Sequence, residues 1–451
     1  MRLLEPLPSD LPQAERAARL PHGFRAAGHR AGIKSSGAPD LGLVVTDDGP
    51  AAVAATFTTN RLPAASVRMD RQHLAATAPA GAGAYGWAGA VMVTSGCANA
   101  ATGEAGLDDQ RSLAATLGTA AGITTEQVLA MSTGLIGTRL PVERIAVAIE
   151  AAIETGLGRT DQDFAEVAEA MRTTDSRLKM AAVRLPLPGP DGSPVEVTIS
   201  GIAKGVGMIH PNMATMLCLV LTDAAAAPAT LHALLRPVVT RTWNQLSVDG
   251  DQSTNDTVLL AASGAAGATP LEADPAAAAA FARALEAVAR SLARQQAADG
   301  EGATTLITCG VSGAHDDAAA RAAARAVVSS DLVKAAIHGA DPNWGRVAMA
   351  VGNASVAGAP VLEASGLTPA AARLRAGQPV ELEPARLRID IQGIPVFAGV
   401  PVDFDAADLS QRMRDDEVLV RVDLGVGNGS GEAFGCDLSE RYVIENSEYS
   451  T

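Results

Sequence analysis

The sequence predicts a layered fold of the mixed α/β or α+β class. Short apolar runs that suit buried strands alternate with alanine-rich segments of helical periodicity along the chain. With 451 residues, of which 47% are hydrophobic and 19% charged, the chain can form one large domain or two ordinary ones. Because strands and helices mix throughout, we expect sheets that are covered by helices.

In the first half of the chain, three segments have clear patterns. Residues 88–96 predict a buried strand that runs into a glycine turn. Residues 140–153 predict a helix that begins at Leu140-Pro141 and has three isoleucines at helical spacing. Residues 180–202 predict a β-hairpin with its turn at 188–194, where proline and glycine cluster.

In the second half, apolar runs predict strands and alanine-rich runs predict helices. Asp274-Pro275 should cap a long helix with one apolar face, and a second helix should cover about 316–328. The strand candidates are LCLVL (217–221), DTVLLAA (256–262), TTLITCG (304–310), RVAMAVG (346–352), RLRIDIQG (386–393) and VLVRVDLG (418–425).

Composition excludes several classes of function. The net charge of −15 and an aromatic content of 3% disfavour nucleic acid and anionic membranes as partners. No apolar run is long enough for a membrane span, and residues 1–21 lack the apolar core of a signal peptide. Four widely separated cysteines fit free thiols in a reducing compartment. These observations predict a cytoplasmic protein.

The spacing of glycines and histidines in the sequence does not match the known motifs for cofactor or metal binding. Residues 425–435 are rich in glycine but do not match the G-x-G-x-x-G pattern in any frame, so we expect no dinucleotide. The histidines show no metal-ligand spacing, and His315-Asp316-Asp317 resembles a solvated helix start. We therefore expect no cofactor and no metal. His210 could be a general base, but a histidine that shapes its turn is the simpler interpretation.

The segment Ala203–Ala224 is the most informative part of the chain. Its glycine-rich, cationic start leads to an Ala214-Thr215 junction directly before the predicted strand LCLVL. A threonine hydroxyl needs a nearby base, and cleavage before Thr215 would supply its own α-amine, which titrates at about 7.7–8.0. From chemistry alone, an ordinary strand threonine after a glycine turn is the simpler interpretation.

The longer sequence around that junction favours the nucleophile over an ordinary strand threonine. KGVGMIHPNMATML resembles the self-cleavage segment of the ornithine acetyltransferase family, the bifunctional glutamate/ornithine N-acetyltransferases of arginine biosynthesis. Other blocks match the family in order from residue 23 to residue 451. They include GFRAAGHRAGIKSSGAPDLGLVVTD, SGCANAATG, MSTGLIGTRLP, TTDS, DGDQSTNDTVLL, DGEGATT, DPNWGR, VDLGVGNG and the terminal ENSEYST.

The resemblance implies a fold and a reaction. The fold would be an αββα sandwich with a smaller α/β lobe within roughly 265–360, cut into the fragments 1–214 and 215–451. Thr215 would take the acetyl group of N-acetylornithine as an ester and pass it to glutamate, in a ping-pong cycle. Acetyl-CoA as a second donor stays open. The two fragments would remain partners, in a homo-oligomer of the cleaved pair.

The resemblance also implies site residues. Cleavage would separate Ala214 from Thr215, and the oxyanion donors would be Thr133 and Gly134. Substrate contacts would come from Thr173, Lys204, Glu301, Asn446 and Thr451, with Thr174 as the alternative to Thr173. Lys204 suits a carboxylate and Glu301 an ammonium group.

Three other functions stay open at this point. One is an N-terminal-nucleophile amidase or aminopeptidase that uses the same Thr215. Another is an uncleaved scaffold without activity. The third is a paralogue from secondary metabolism with a different acyl donor or acceptor amine.

Overall fold

Three β-sheets organise the chain in a computed structural model, which describes residues 11–209, 216–364 and 367–448. The strands of these residues are β1 (Phe24–His29), β2 (Leu41–Thr46), β3 (Ala51–Phe57), β4 (Tyr85–Ala88), β5 (Ala90–Cys97), β6 (Val128–Leu135), β7 (Lys179–Pro188), β8 (Pro194–Lys204), β9 (Leu217–Thr222), β10 (Leu246–Ser247), β11 (Thr257–Ala262), β12 (Leu306–Ala314), β13 (Arg388–Ile391), β14 (Ile394–Ala398), β15 (Glu417–Asp423) and β16 (Gly429–Cys436).

Helices connect and cover these strands. They are α1 (Ala65–Thr77), α2 (Gly103–Ala121), α3 (Val142–Thr155), α4 (Asp161–Met171), α5 (Pro228–Arg241), α6 (Pro275–Ala297), α7 (Asp317–Val328), α8 (Asp331–His338), α9 (Trp344–Gly352), α10 (Ala359–Ala364), α11 (Pro369–Arg375), α12 (Ala406–Arg412) and α13 (Glu440–Glu448). Within the described stretches, no helix combines the length and the apolar character that a membrane crossing requires.

Two of the sheets stack face to face and form the main body. One has four strands in the order β1-β2-β5-β6, and the other has six in the order β4-β3-β11-β9-β8-β7. In the six-stranded sheet β9 and β11 run parallel, with Leu219 opposite Leu259, and the other neighbours run antiparallel. Apolar side chains of both sheets, such as Val93 and Leu219, meet in one core with Phe164 of α4.

Helices cover the outer face of each sheet. Side chains of α1, α2 and α3, including Met69, Leu113 and Ile149, pack against the four-stranded sheet. Leu235 of α5 and Phe281 of α6 belong to the core on the outer face of the six-stranded sheet. This order of layers is an αββα sandwich, so the expected fold class is confirmed.

Most of the predicted elements are present where the pattern placed them. The hairpin is β7 and β8, with Pro188 opposite Pro194 at its turn. The two alanine-rich helices are α6 and α7, and each begins at an aspartate whose carboxylate accepts one or two backbone N–H groups of the first turn. Asp316 is therefore a helix cap, as its solvated position suggested.

The third sheet builds a separate lobe. Its order is β10-β16-β12-β15-β13-β14, and helices α7 to α11 pack on it. The apolar core of this lobe draws on residues from Ile307 to Ala433. The bounds differ from the expected 265–360 because α6 packs in the main body, whereas β13 to β16 complete the lobe's sheet.

One strand prediction is wrong. RVAMAVG, residues 346–352, lies in helix α9. Val347, Ala350 and Val351 are buried and Met349 is 40% exposed, which is the spacing of a helix with one buried face. A short continuous apolar run does not distinguish a strand from a buried helix, and here the lobe's core selects the helix.

Candidate active site

Most of the expected site residues lie around one cleft of about 120 Å³. The cleft is lined by Thr133, Gly134, Thr173, Thr174, Lys204, Glu301 and Asn446, together with residues 253–255. These side chains come from the end of β6, the end of β8, helix α13, and loops that precede β7, β11 and β12. Ala214, Thr215, Thr451 and His210 lie outside the described residues.

The end of strand β6 places Thr133 and Gly134 at the cleft. Gly134 has a φ of +126°, and a Cβ atom there would lie 2.3 Å from the carbonyl carbon of Gly96 on the neighbouring strand β5. Only glycine fits this close approach. At the end of the strand, the backbone of Gly134 therefore carries no side chain and lies beside the hydroxyl group of Thr133. Thr133 is 7% exposed.

Lys204 is the cation of the cleft. It ends strand β8, is 5% exposed, and its Nζ donates to Thr133 Oγ1 at 3.2 Å. Burial lowers the pKa of this lysine, and the nearby carboxylate of Asp175 opposes that shift. No carboxylate of the described residues is in ion-pair contact with Lys204. Its charge thus lies beside a hydroxyl, without a direct ion pair among the described residues.

Glu301 is the anion of the cleft, and its partners are neutral. Thr174 Oγ1 donates to Glu301 Oε1 at 3.0 Å, and Asn446 Nδ2 donates to Glu301 Oε2 at 3.0 Å. Gly207 lies against this carboxylate, since a Cβ on it would be 2.2 Å from Oε2. Both Thr173 and Thr174 line the cleft, and the hydrogen bond to Glu301 comes from Thr174.

A buried charge network supports the cleft from below, and the sequence did not reveal it. Lys179 is fully buried, and its Nζ lies 2.6 Å from both Asp175 Oδ1 and Asp299 Oδ2. Asp175 Oδ1 also accepts the N–H of Gly205 at 2.9 Å. Despite its burial, the charges of Lys204 and Lys179 lower the pKa of Asp175 to about 2.

This network joins the three segments that carry the cleft residues. Asp175 follows Thr174, Gly205 follows Lys204, and Asp299 precedes Glu301 by two positions. The motif blocks TTDS and DGEGATT contained both aspartates, so their acidic residues were the available signal. The partner Lys179 begins β7 and carries no motif of its own.

The described residues hold no cluster of three or more potential metal ligands. The four cysteines are buried free thiols: Cys97, Cys218, Cys309 and Cys436. Burial raises the pKa of Cys218, Cys309 and Cys436, so these thiols stay protonated at neutral pH.

Comparison with known proteins identifies the family. The model of the ArgJ family matches residues 25–451. The chain belongs to the ArgJ family. An arginine biosynthesis bifunctional protein ArgJ from Thermus thermophilus is 45% identical over 436 residues, which are 96% of this chain and 100% of that protein. The ArgJ protein of Deinococcus radiodurans is 42% identical over 450 residues, with 100% of both chains covered.

A solved structure adds a similar protein with a bound small molecule. It is an ornithine acetyltransferase from Mycobacterium tuberculosis complexed with ornithine, 35% identical, with a TM-score of 0.38 over 44% of this chain and 97% of that one. The ArgJ family match confirms the resemblance found in the sequence, and with it the expectation of an acetyltransferase of arginine biosynthesis.

Proposed function

We propose that the protein is a self-cleaving acetyltransferase that moves the acetyl group of N-acetylornithine to glutamate. The observation that carries this proposal is the cleft, where a buried cation, an anion and a hydroxyl converge on one small space. N-acetylornithine and glutamate share an α-carboxylate, which suits a cation, and glutamate on arrival and ornithine on release carry an α-ammonium group, which suits an anion. Lys204 and Glu301 offer those charges, and neither is in contact with an opposite charge among the described residues.

The first step is maturation at the Ala214-Thr215 bond. The Thr215 hydroxyl adds to the Ala214 carbonyl carbon, the C–N bond breaks, and the hydroxyl proton goes to the leaving nitrogen. Water then hydrolyses the ester and leaves a carboxylate on Ala214 and a free amine on Thr215. The two fragments stay associated because residues 199–204 of β8, before the cut, pair with the whole of β9, after it.

The second step is acetyl transfer. With its α-amine as base, the Thr215 hydroxyl attacks the acetyl carbonyl of N-acetylornithine, and the amide C–N bond breaks to release ornithine. The acetyl ester on Thr215 is then attacked by the amine of glutamate, which restores the hydroxyl. The Thr133 hydroxyl and the Gly134 backbone N–H stabilise the oxyanion of both tetrahedral intermediates.

The charged groups of the cleft have separate tasks in this scheme. Lys204 receives the α-carboxylate that donor and acceptor have in common, as a charge-assisted hydrogen bond. Glu301 receives an ammonium group, and Thr174 and Asn446 hold its carboxylate in position. The charge network of Asp175, Lys179 and Asp299 holds the three segments that carry the cleft residues in their relative positions.

Three finer points belong to the same proposal. The reaction needs no cofactor, and acetyl-CoA is a candidate second donor because the relatives are named bifunctional. The buried free thiols suit a reducing cytoplasm. The cleaved pairs assemble into a homo-oligomer, as the family resemblance implies.

Product analysis tests the function. Purified protein with N-acetylornithine and labelled glutamate should yield labelled N-acetylglutamate and ornithine in equal amounts, with little acetate. Acetate released at the same rate without glutamate would mean that the protein is a hydrolase. A parallel reaction with acetyl-CoA and glutamate decides whether there is a second donor.

A further inference from the structure

One loop contacts the self-cleavage segment on both sides of the proposed cut. The loop, residues 249–256, connects the end of β10 to β11 and has the sequence DGDQSTND. The segment before the cut ends, within the described residues, at Ile209, and the segment after it begins at Met216. Both ends form hydrogen bonds to this loop or to the residues that flank it.

Asp249 holds the upstream end. Its carboxylate accepts the N–H of Met208 at 2.5 Å and the N–H of Ile209 at 2.8 Å. The flanking residue Val248 donates its own N–H to the carbonyl of Ile209 at 2.7 Å. Met208 has a φ of +54°, a left-handed conformation that a side chain such as methionine rarely adopts. The hydrogen bonds of Asp249 therefore hold a strained turn.

Asp256 holds the downstream end. Its Oδ1 accepts the N–H of Met216 at 2.9 Å, on the residue that directly follows Thr215 in the chain. The carbonyl of Met216 accepts the N–H of Thr257 at 3.0 Å. Burial raises the pKa of Asp256 well above its usual range. Its Oδ2 is buried and has no well-formed hydrogen bond among the described residues.

The same loop also reaches the oxyanion end of strand β6. Asn255 Nδ2 donates to the carbonyl of Ser132 at 2.8 Å and to the carbonyl of Ala98 at 2.7 Å. Ser132 is the neighbour of Thr133. Directly before the loop, the carbonyl of Val248 accepts a hydrogen bond from the buried Lys334 of helix α8 at 2.5 Å. Lys334 also donates to the carbonyl of Cys436 at 2.7 Å, so it connects the loop to the lobe.

We infer that Asp249 and Asp256 are positioning residues for self-cleavage, which hold the two ends of the segment so that the Thr215 hydroxyl meets the Ala214 carbonyl. This inference rests on the proposed function, since it assigns a role within the proposed maturation step. Self-cleavage is an intramolecular reaction, and its rate depends on the approach of two atoms of the chain itself. Neither aspartate lines the substrate cleft. Their loss should therefore slow maturation much more than it changes turnover of the enzyme once cleaved.

The two aspartates should respond differently to the isosteric change to asparagine. The carboxylate of Asp249 accepts N–H groups on both oxygens, so Asp249→Asn turns an amide N–H toward another N–H and should slow cleavage about 10-fold or more. Among the described residues, Asp256 accepts a backbone N–H on Oδ1 only, and the side-chain oxygen of asparagine can take that place, so Asp256→Asn keeps the contact and should cleave at nearly the wild-type rate. Asp256→Ala removes the contact and should slow cleavage about 10-fold or more.

Cell-free synthesis of the full-length chain gives the rates. Conversion to two fragments is followed on a denaturing gel, and intact mass identifies the cut. Asp251→Asn is the matched control, because Asp251 is exposed and its carboxylate forms no hydrogen bond among the described residues. It should cleave like the wild type. Slow cleavage with Asp249→Asn and Asp256→Ala, together with fast cleavage of Asp256→Asn, supports the inference.

Two outcomes would overturn the inference. One is wild-type cleavage with Asp249→Asn and Asp256→Ala. The other is equal slowing by Asp256→Asn and Asp256→Ala. If the Asp249 variants aggregate, the pair at Asp256 decides by itself. A wild-type chain that stays full-length would instead contradict the proposed function, so the two failures are distinguishable.

Discussion

The cleft and the interface between sandwich and lobe both bury charged side chains, but they pair them differently. At the interface, Arg290 binds Glu432 through two hydrogen bonds of 2.5 and 2.8 Å, and Arg294 lies 2.6 Å from Glu417. In the cleft, the nearest partner of Lys204 is a hydroxyl. Removal of one partner from such a pair leaves a buried charge uncompensated, whereas a charge without an ion-pair partner can interact with a ligand.

The interface pairs connect one helix to the lobe. Arg290 and Arg294 are both on α6 of the main body, while Glu417 and Glu432 are on strands β15 and β16 of the third sheet. Thr308 completes the second pair, since it accepts from Arg294 at 2.7 Å and donates to Glu417 at 2.7 Å. Each of these four charged side chains therefore has an opposite charge within the protein.

The largest expected effect comes from opening a closed pair. Glu417→Leu leaves Arg294 buried without its carboxylate and should lower the free energy of unfolding by about 3–5 kcal/mol. The double variant Arg294→Met with Glu417→Leu removes both charges and should recover most of that loss. Chemical denaturation measures both. If the single and double variants are equally destabilised, the loss of stability does not come from an unpaired buried charge.

The second largest effect is expected from loss of the Thr133 hydroxyl, which accepts a hydrogen bond from Lys204. Thr133→Ala should lower kcat by roughly 10²–10³-fold, as loss of one oxyanion donor does, with a smaller change in KM. Steady-state kinetics on protein that has been confirmed as cleaved give the answer. Unchanged turnover would remove Thr133 from the mechanism. Thr138→Ala, at an exposed position outside the cleft, serves as the control.

Removal of the positive charge of Lys204 should weaken substrate binding. Lys204→Met should lower kcat/KM by about 10- to 100-fold, because a charge-assisted hydrogen bond to the substrate is lost. The variant should unfold at nearly the wild-type denaturant concentration, in contrast to Glu417→Leu. Strong destabilisation with normal kcat/KM would show that Lys204 is a structural charge.

The pH dependence of KM sharpens the same point. Burial lowers the pKa of Lys204, so its charge is lost at a lower pH than that of an exposed lysine. As the pH rises through that lowered pKa, KM should rise in the wild type and stay flat in Lys204→Met. A parallel rise in both proteins would assign the titration to another group.

The smallest expected effect distinguishes two neighbouring threonines. Thr174→Val breaks the hydrogen bond to Glu301 and should raise KM by about 3- to 10-fold. Thr173→Val should have less effect, because its side chain forms no hydrogen bond among the described residues. The reverse order in steady-state kinetics would assign the substrate contact to Thr173.

Local pattern predicted much of the fold and of the cleft. The apolar run LCLVL and the proline-glycine turn at 188–194 correctly predicted β9 and the hairpin. The motif blocks contained Thr133, Lys204 and Glu301, which the structure brings together. Their catalytic and binding roles, and that of Thr215, remain predictions.

The parts that sequence did not predict depend on distant contacts. Lys179 binds Asp299 across 120 positions of the chain, so no local pattern signals this ion pair. The sequence predicted a strand where helix α9 lies, because a short apolar run is compatible with a strand and with a buried helix. Packing in the core of the lobe decides between the two. The extent of the lobe likewise depends on which sheet receives β13 to β16.

A trapped acetyl-enzyme tests the central claim, that Thr215 carries the acetyl group in a cleft with open charges. Cleaved enzyme is mixed with N-acetylornithine in the absence of glutamate, and the mass of each fragment is measured. One acetyl group should appear on the fragment that begins at Thr215, and addition of glutamate should remove it. An acetyl group on the fragment 1–214, or none on either fragment during turnover, would contradict the account.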